Sequence, residues 1–95
     1  MESRKTVSLI IPCFNEQDSL PFFYKEATSV MQGLNYNYEI LLVDDGSTDK
    51  TLDVMKALAE KDEHIKYYAL SRNFGKEAAM YAGFCNAEGD YVTVM

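Results

Sequence analysis

The sequence is short of almost everything that marks the commoner catalytic and binding classes. It has two cysteines, Cys13 and Cys85, far apart and without CxxC spacing, which argues against a zinc site. Two unpaired thiols suit a reducing compartment, and the chain reads as cytoplasmic. It has one histidine, His64. That residue follows "EKDE" on a polar stretch and is expected at the surface rather than as a ligand or base. No apolar run approaches the roughly 18 residues needed to cross a bilayer. The opening "MESRKTVSLIIPCFNE" lacks the long apolar segment and cleavage site of a secretory leader. Positive charge is scarce as well. The formal net charge of −6 leaves no basic stripe for nucleic acid and no polybasic membrane patch. Three glycine signatures are also missing. The segment after the first apolar run is "PCFNEQ" and not GxGxxG, and neither GxxxxGK[ST] nor GxSxG occurs. A dinucleotide dehydrogenase, a P-loop NTPase and a serine hydrolase therefore lose their main support.

What remains is a regular alternation. With 95 residues, 47% of them hydrophobic, the chain suits one small ordered domain or part of a larger one. "TVSLIIPCF" reads as a buried strand that stops at Pro12. Leu20, Phe23, Tyr24, Ala27, Val30, Met31 and Leu34 then recur at helical spacing. Ser19 is placed to cap that helix, Pro21 falls in its first turn, and Gly33 suits its end. "YEILLVDD" is a second strand, introduced by a turn between Tyr36 and Tyr38. Ser47 or Thr48 is expected to cap a second helix, with Asp49 in its first turn and Leu52, Met55, Leu58 and Ala59 inside. "HIKYYAL" is a third strand. "NFGKEAAMYAGFCNAEG" is a third helix, with Ala78, Tyr81, Ala82 and Cys85 on its inner face. "DYVTVM" is a fourth strand. The order βαβαβαβ with near-continuous apolar strands predicts an α/β fold, a Rossmann-like parallel sheet with helices on both faces.

That topology gathers the polar residues. Strand one runs into "PCFNE", strand two into "DDGS" and strand three into "SRNFGK", and parallel strands end on one edge. Asn15, Glu16, Asp44, Asp45, Arg72, Asn73 and Lys76 are therefore expected to meet there. Carboxylates and an asparagine can recognise a base or a ribose. Arg72, Lys76 and the helix N-termini after Gly46 and Gly75 can face phosphate oxygens. A nucleoside diphosphate matches this inventory. The plainer reading makes Asp45 and Ser47 an Asx turn and Arg72 and Lys76 a solvated helix start. A phosphoryl-receiver module also sets paired acids after a strand. Here, however, a whole strand–helix unit precedes the pair, and "LSRN" offers no acid to accept phosphate. A catalytically dead nucleotide-binding or interaction domain stands as a further alternative.

The segments "VSLIIPCFNEQDSLP", "EILLVDDGSTDKT" and "LSRNFGKEAAMYAGFCNAEGDYVTVM" together resemble the family 2 glycosyltransferases of GT-A fold, in order and in spacing. The last segment is most similar to the branch containing dolichol-phosphate mannosyltransferase and bactoprenol glucosyltransferase. The resemblance implies strand order 3-2-1-4. It also implies that residues 1–95 are the N-terminal nucleotide-binding part of a longer transferase domain. The donor would be a UDP- or GDP-sugar and the acceptor a polyprenyl phosphate.

The resemblance assigns Pro12, Phe14, Asn15 and Glu16 to the nucleotide pocket, Asp45 to the base, and Asp44 to the turn or ribose. Arg72 and Lys76 are assigned to ribose or diphosphate. The family's Asp-x-Asp metal motif would begin just past Met95. Mg²⁺ or Mn²⁺ is thus expected in the full-length protein and not on this piece. No catalytic residue is assigned here, and the piece alone is expected to be inactive. Later segments would anchor the parent at the cytoplasmic face of the membrane. The outer edge of the fourth strand, residues 90–95, is expected to favour self-association.

Overall fold

The computed structural model describes residues 4–95. Seven elements alternate along it: β1 (Thr6–Cys13), α1 (Leu20–Gln32), β2 (Asn37–Asp44), α2 (Thr51–Lys61), β3 (Ile65–Ala69), α3 (Lys76–Asn86) and β4 (Tyr91–Val94). The four strands form one sheet in the order β3-β2-β1-β4, and every pairing is parallel. β1 and β2 pair along their whole length, from Thr6 with Asn37 to Cys13 with Asp44.

Strand alternation explains the two faces. Leu9, Ile11 and Cys13 of β1 join Ile40 and Leu42 of β2 in a core closed by Leu20, Ala27 and Met31 of α1 and Met55 and Leu58 of α2. The intervening residues Ile10 and Val43 face the other way, against Ala79 and Ala82 of α3. The predicted stripe of α2 is therefore the one observed. The helical stripe of α1 ends sooner than its spacing suggested, because Val30 and Leu34 are exposed.

The third helix differs from the expectation. Its inner face carries Ala79, Gly83 and Ala82, while Tyr81 and Cys85 point outward. The reason is distance. A Cβ on Gly83 would lie 2.5 Å from Ile10 Cγ2, so only the smallest side chains fit where α3 meets β1. The helix also begins at Lys76, because residues 73–75 are held by the Asp45 carboxylate and Gly75 has φ 105°.

Other boundaries moved for local reasons. β1 does not stop at Pro12, which pairs with Val43 inside the strand. Ile10 O accepts from Met95 N, so alternate residues of β1 face β4, and Pro12 faces that side beyond the Ile10–Val94 pair. Its missing N–H leaves no ladder bond broken. Ser19 sits at the N-cap of α1 without bonding a backbone amide. Its hydroxyl donates to Glu16 instead. Neither Ser47 nor Thr48 caps α2, which starts at Thr51. Asp49 precedes it and accepts from Thr51 N at 2.9 Å. Gly33 closes α1 in a right-handed conformation, φ −78°.

Tyr38 lies in β2 and not in a turn. Its ring stacks on His64 at 4.1 Å, and His64 Nδ1 lies 2.8 Å from Asp62. The lone histidine is therefore at the surface as expected, with 40% of its side chain exposed, and is held just before β3 by these two contacts. Of the two free cysteines, Cys13 is buried and Cys85 exposed.

Candidate nucleotide site at the strand ends

Three loops leave the carboxyl edge of the sheet, and each is tied to its neighbour. The β1–α1 loop is bound to the β2–α2 loop by Asn15. That residue adopts φ 53°, a left-handed conformation that asparagine tolerates better than most. Its amide donates to Ser47 Oγ at 2.8 Å, and its Oδ1 accepts from Thr48 N at 2.9 Å and Asp49 N at 3.4 Å. Glu16 N donates to the buried Thr51 Oγ1 at 2.8 Å, and Lys50 N to Gln17 Oε1 at 2.9 Å.

The paired aspartates divide the remaining work. Both are buried, each 4% exposed. Asp44 Oδ1 accepts from Ser47 N at 3.0 Å, which turns the chain at the strand end. Asp45 reaches the other way, into the β3–α3 loop. Its Oδ1 accepts from Phe74 N at 2.9 Å, and its Oδ2 from Gly75 N at 3.1 Å and Asn73 Nδ2 at 3.3 Å. Gly46 completes this junction. It has φ 70°, and a Cβ there would lie 2.3 Å from Arg72 C and 2.4 Å from Asn73 N. Two carboxylates end a buried strand because each holds a separate turn by its backbone amides.

The cavity that results has a volume of about 240 Å³ and is lined by Pro12, Cys13, Phe14, Glu16, Asp45 and Lys76. Five of the eight sequence-predicted residues thus share one wall system. Asn15 and Asp44 do not line it and instead bond the β2–α2 loop. Arg72 is outside it, exposed, with its guanidinium 4.8 Å from the Phe74 ring. Lys76, the first residue of α3, makes no ion pair with a described residue. It is the cation of the cavity, opposite Glu16 and Asp45. The Cys13 thiol is pushed up to about 12, first by burial and then by the charges of Glu16 and Asp44, so it is no nucleophile near neutral pH.

A larger groove of about 580 Å³ lies between α1 and β4. Leu9, Ala27, Val30, Met31, Val94 and Met95 make it mainly apolar, and Glu26 is the one charged lining residue among those described. It lacks the cation of the strand-end cavity and the two acids, Glu16 and Asp45, that line it with Lys76, so size does not make it the better site. Among the described residues, no group of three or more His, Cys, Asp or Glu is placed to hold a metal ion. No described helix is long and apolar enough to cross a membrane.

Residues 8–95 match the family described as glycosyl transferase family 2. The chain belongs to that family. This family 2 chain is 44% identical over 92 residues to the undecaprenyl-phosphate 4-deoxy-4-formamido-L-arabinose transferase of Salmonella choleraesuis (strain SC-B67). The match covers 96% of the chain and 28% of that relative, so the chain spans little more than a quarter of the relative's length. Among solved structures, it superimposes on the mannosyltransferase PcManGT from Pyrobaculum calidifontis, in complex with GDP-Man and Mn²⁺. The TM-score is 0.75 at 24% identity, over 96% of this chain and 27% of that one. The S. aureus TarS 1-349 complex with UDP-GlcNAc gives a TM-score of 0.69 at 26% identity, over 95% and 26% of the two chains. The parallel sheet in order 3-2-1-4 with three helices is the fold these GT-A glycosyltransferases share with this chain.

Proposed function

We propose that this chain is the nucleotide-binding part of a transferase that moves a sugar from a UDP- or GDP-sugar to a polyprenyl phosphate. The observation that carries the reading is the strand-end cavity, where Pro12, Phe14, Glu16, Asp45 and Lys76 meet. In this reading Phe14 supplies an apolar surface for the base, and Asp45, its carboxylate held by Asn73, Phe74 and Gly75, fixes the wall beside it. Asp44 and Asn15 hold the rim, and Lys76 faces ribose or diphosphate oxygens, while Arg72 lies outside the cavity against Phe74. The name of the Salmonella relative supports a polyprenyl phosphate acceptor. The donors and Mn²⁺ named for the structural neighbours support a nucleotide-sugar donor and a divalent ion in the whole protein.

The reaction is a displacement at the anomeric carbon. A phosphate oxygen of the acceptor forms the new bond to carbon as the bond to the nucleoside diphosphate breaks, and the diphosphate leaves with the electron pair. The chain's contribution is binding and orientation of the donor, with the Lys76 ammonium stabilising charge on the leaving diphosphate. A bound divalent ion would add further charge neutralisation. The acceptor chemistry and a parent anchored at the cytoplasmic face of the membrane fit together, since a polyprenyl chain resides in lipid.

Calorimetric titration of the whole protein with UDP, GDP and ADP in Mn²⁺ tests the reading. UDP or GDP should bind, and Asp45→Asn should weaken that binding tenfold or more. No binding of any of the three nucleotides would overturn it and favour an interaction domain.

A further inference from the structure

A second polar cluster lies at the opposite edge of the sheet, and nucleotide binding makes no use of it. Glu39 is 6% exposed although it stands in the apolar strand β2. Its register partner on β1 is Ser8, which is fully buried. The Ser8 hydroxyl donates to Glu39 Oε2, which also accepts Glu88 N at 2.8 Å. Lys66 Nζ of β3 lies 2.8 Å from Glu39 Oε1 and 3.7 Å from Glu88 Oε1. Gly89 N donates to Ser8 Oγ at 2.9 Å, and a Cβ on Gly89 would lie 2.5 Å from that oxygen. One carboxylate thus joins three strands to the turn that launches β4.

β4 needs such a device. It is added on the far side of β1 from β2 and β3, so chain order does not force its place. Four register pairs join it to β1, with Asp90 bonded to Thr6 just before it and Met95 N to Ile10 O just after. Its burial does not alternate, because Tyr91, Val92 and Thr93 are all exposed and Val94 is only half-buried. Among the described residues, Val94 is the β4 side chain that packs on the core, against the Ile10 and Val43 cluster, so side-chain burial alone gives the strand little to fix its register. Just past its end, Met95 walls a cavity of about 130 Å³ together with Pro12, Cys13 and Glu16. A slip of β4 would move that wall beside the candidate site.

We infer that the Ser8–Glu39–Lys66 cluster is a positioning site that locks β4 in register on β1, from the end of the sheet remote from the cavity. Amide hydrogen exchange on the full chain tests this independently of nucleotide binding. Glu39→Gln and Ser8→Ala should each speed exchange at Asp90 and along β4 by tenfold or more. The amides of Ile40, Asp45 and Leu70, which bond among β1, β2 and β3, should change less than threefold. Unchanged exchange in β4 would overturn the inference. So would acceleration of all these amides by one common factor, which is the mark of general destabilisation. Ser8→Ala removes one hydroxyl and leaves the carboxylate in place, so it still decides the matter if Glu39→Gln does not fold.

Discussion

Replacing Gly46 by alanine should unfold the candidate site more severely than its chemistry suggests. The glycine has φ 70°, and its neighbours across the junction are backbone atoms, Arg72 C and Asn73 N, at 2.3 and 2.4 Å from an added Cβ. The left-handed conformation costs an alanine about 1–2 kcal/mol. The overlap adds about 1–3 kcal/mol, because backbone cannot rotate away as a side-chain tip can. A total of about 2–5 kcal/mol is a large share of the roughly 5–15 kcal/mol that holds a small domain folded. Gly75 supplies the control. Its φ of 105° and ψ of 160° lie in a region that essentially only glycine adopts, which costs an alanine about 1–3 kcal/mol, yet a Cβ there meets nothing within 4 Å, so Gly75→Ala carries a conformational cost without overlap. Asparagine separates the two terms at position 46, since it accepts the left-handed conformation but keeps the Cβ. Urea unfolding curves of the three variants should rank Gly75→Ala above both Gly46→Ala and Gly46→Asn, with unchanged m-values. If Gly46→Ala lies within 0.5 kcal/mol of Gly75→Ala, or if Gly46→Asn restores stability, the close-approach argument is wrong.

Three further outcomes are expected. Ellman's reagent at pH 8 should titrate one thiol quickly, the exposed Cys85. Cys13, with its thiol raised to about 12, should react only after denaturation, and two fast thiols would contradict its burial. Acid should loosen the β4 lock. Burial pushes the Glu39 carboxyl up, but hydrogen bonds from Lys66, Ser8 and the Glu88 amide outweigh it and hold the group below its ordinary 4.5. A depressed carboxylate stabilises the fold above its unfolded value, and that stabilisation is lost as pH falls through the folded value. Unfolding free energy should therefore decline below pH 4.5 less steeply in Glu39→Gln, and equal slopes would refute the assignment. Finally, Val92→Lys on the exposed edge of β4 should reduce any self-association seen by sedimentation velocity, and identical profiles would remove that edge as the contact.

The alternation of strands and helices was legible because apolar runs and helical stripes were long and clean. The sheet order came from the family resemblance and not from periodicity. Convergence of distant residues followed from parallel topology, which anticipated Glu16, Asp45 and Lys76 around one cavity, whereas Pro12 and Phe14 of the same lining came from the family resemblance. Less visible was the division of labour behind the site. Asn15 spends its carbonyl on neighbouring amides, and no local pattern distinguishes that from a ligand contact. The inner face of α3 was misread for a related reason. Periodicity favours the larger apolar residues, whereas close approach to Ile10 selects Ala79 and Gly83. Glu39 did leave a signal. A lone charge inside "YEILLVDD" has no place in a buried strand unless partners wait for it, and its partners Ser8 and Lys66 lie on separate strands.

The Asn15 stitch has a consequence for how this architecture can diversify. Because the first two rim segments share their hydrogen bonds residue by residue, neither tolerates an insertion without disrupting the other. Length variation that alters substrate choice must therefore enter elsewhere along the chain. A library that randomises residues 14–17 while leaving 47–51 fixed should return mostly insoluble clones, whereas paired randomisation of both segments should recover folded ones.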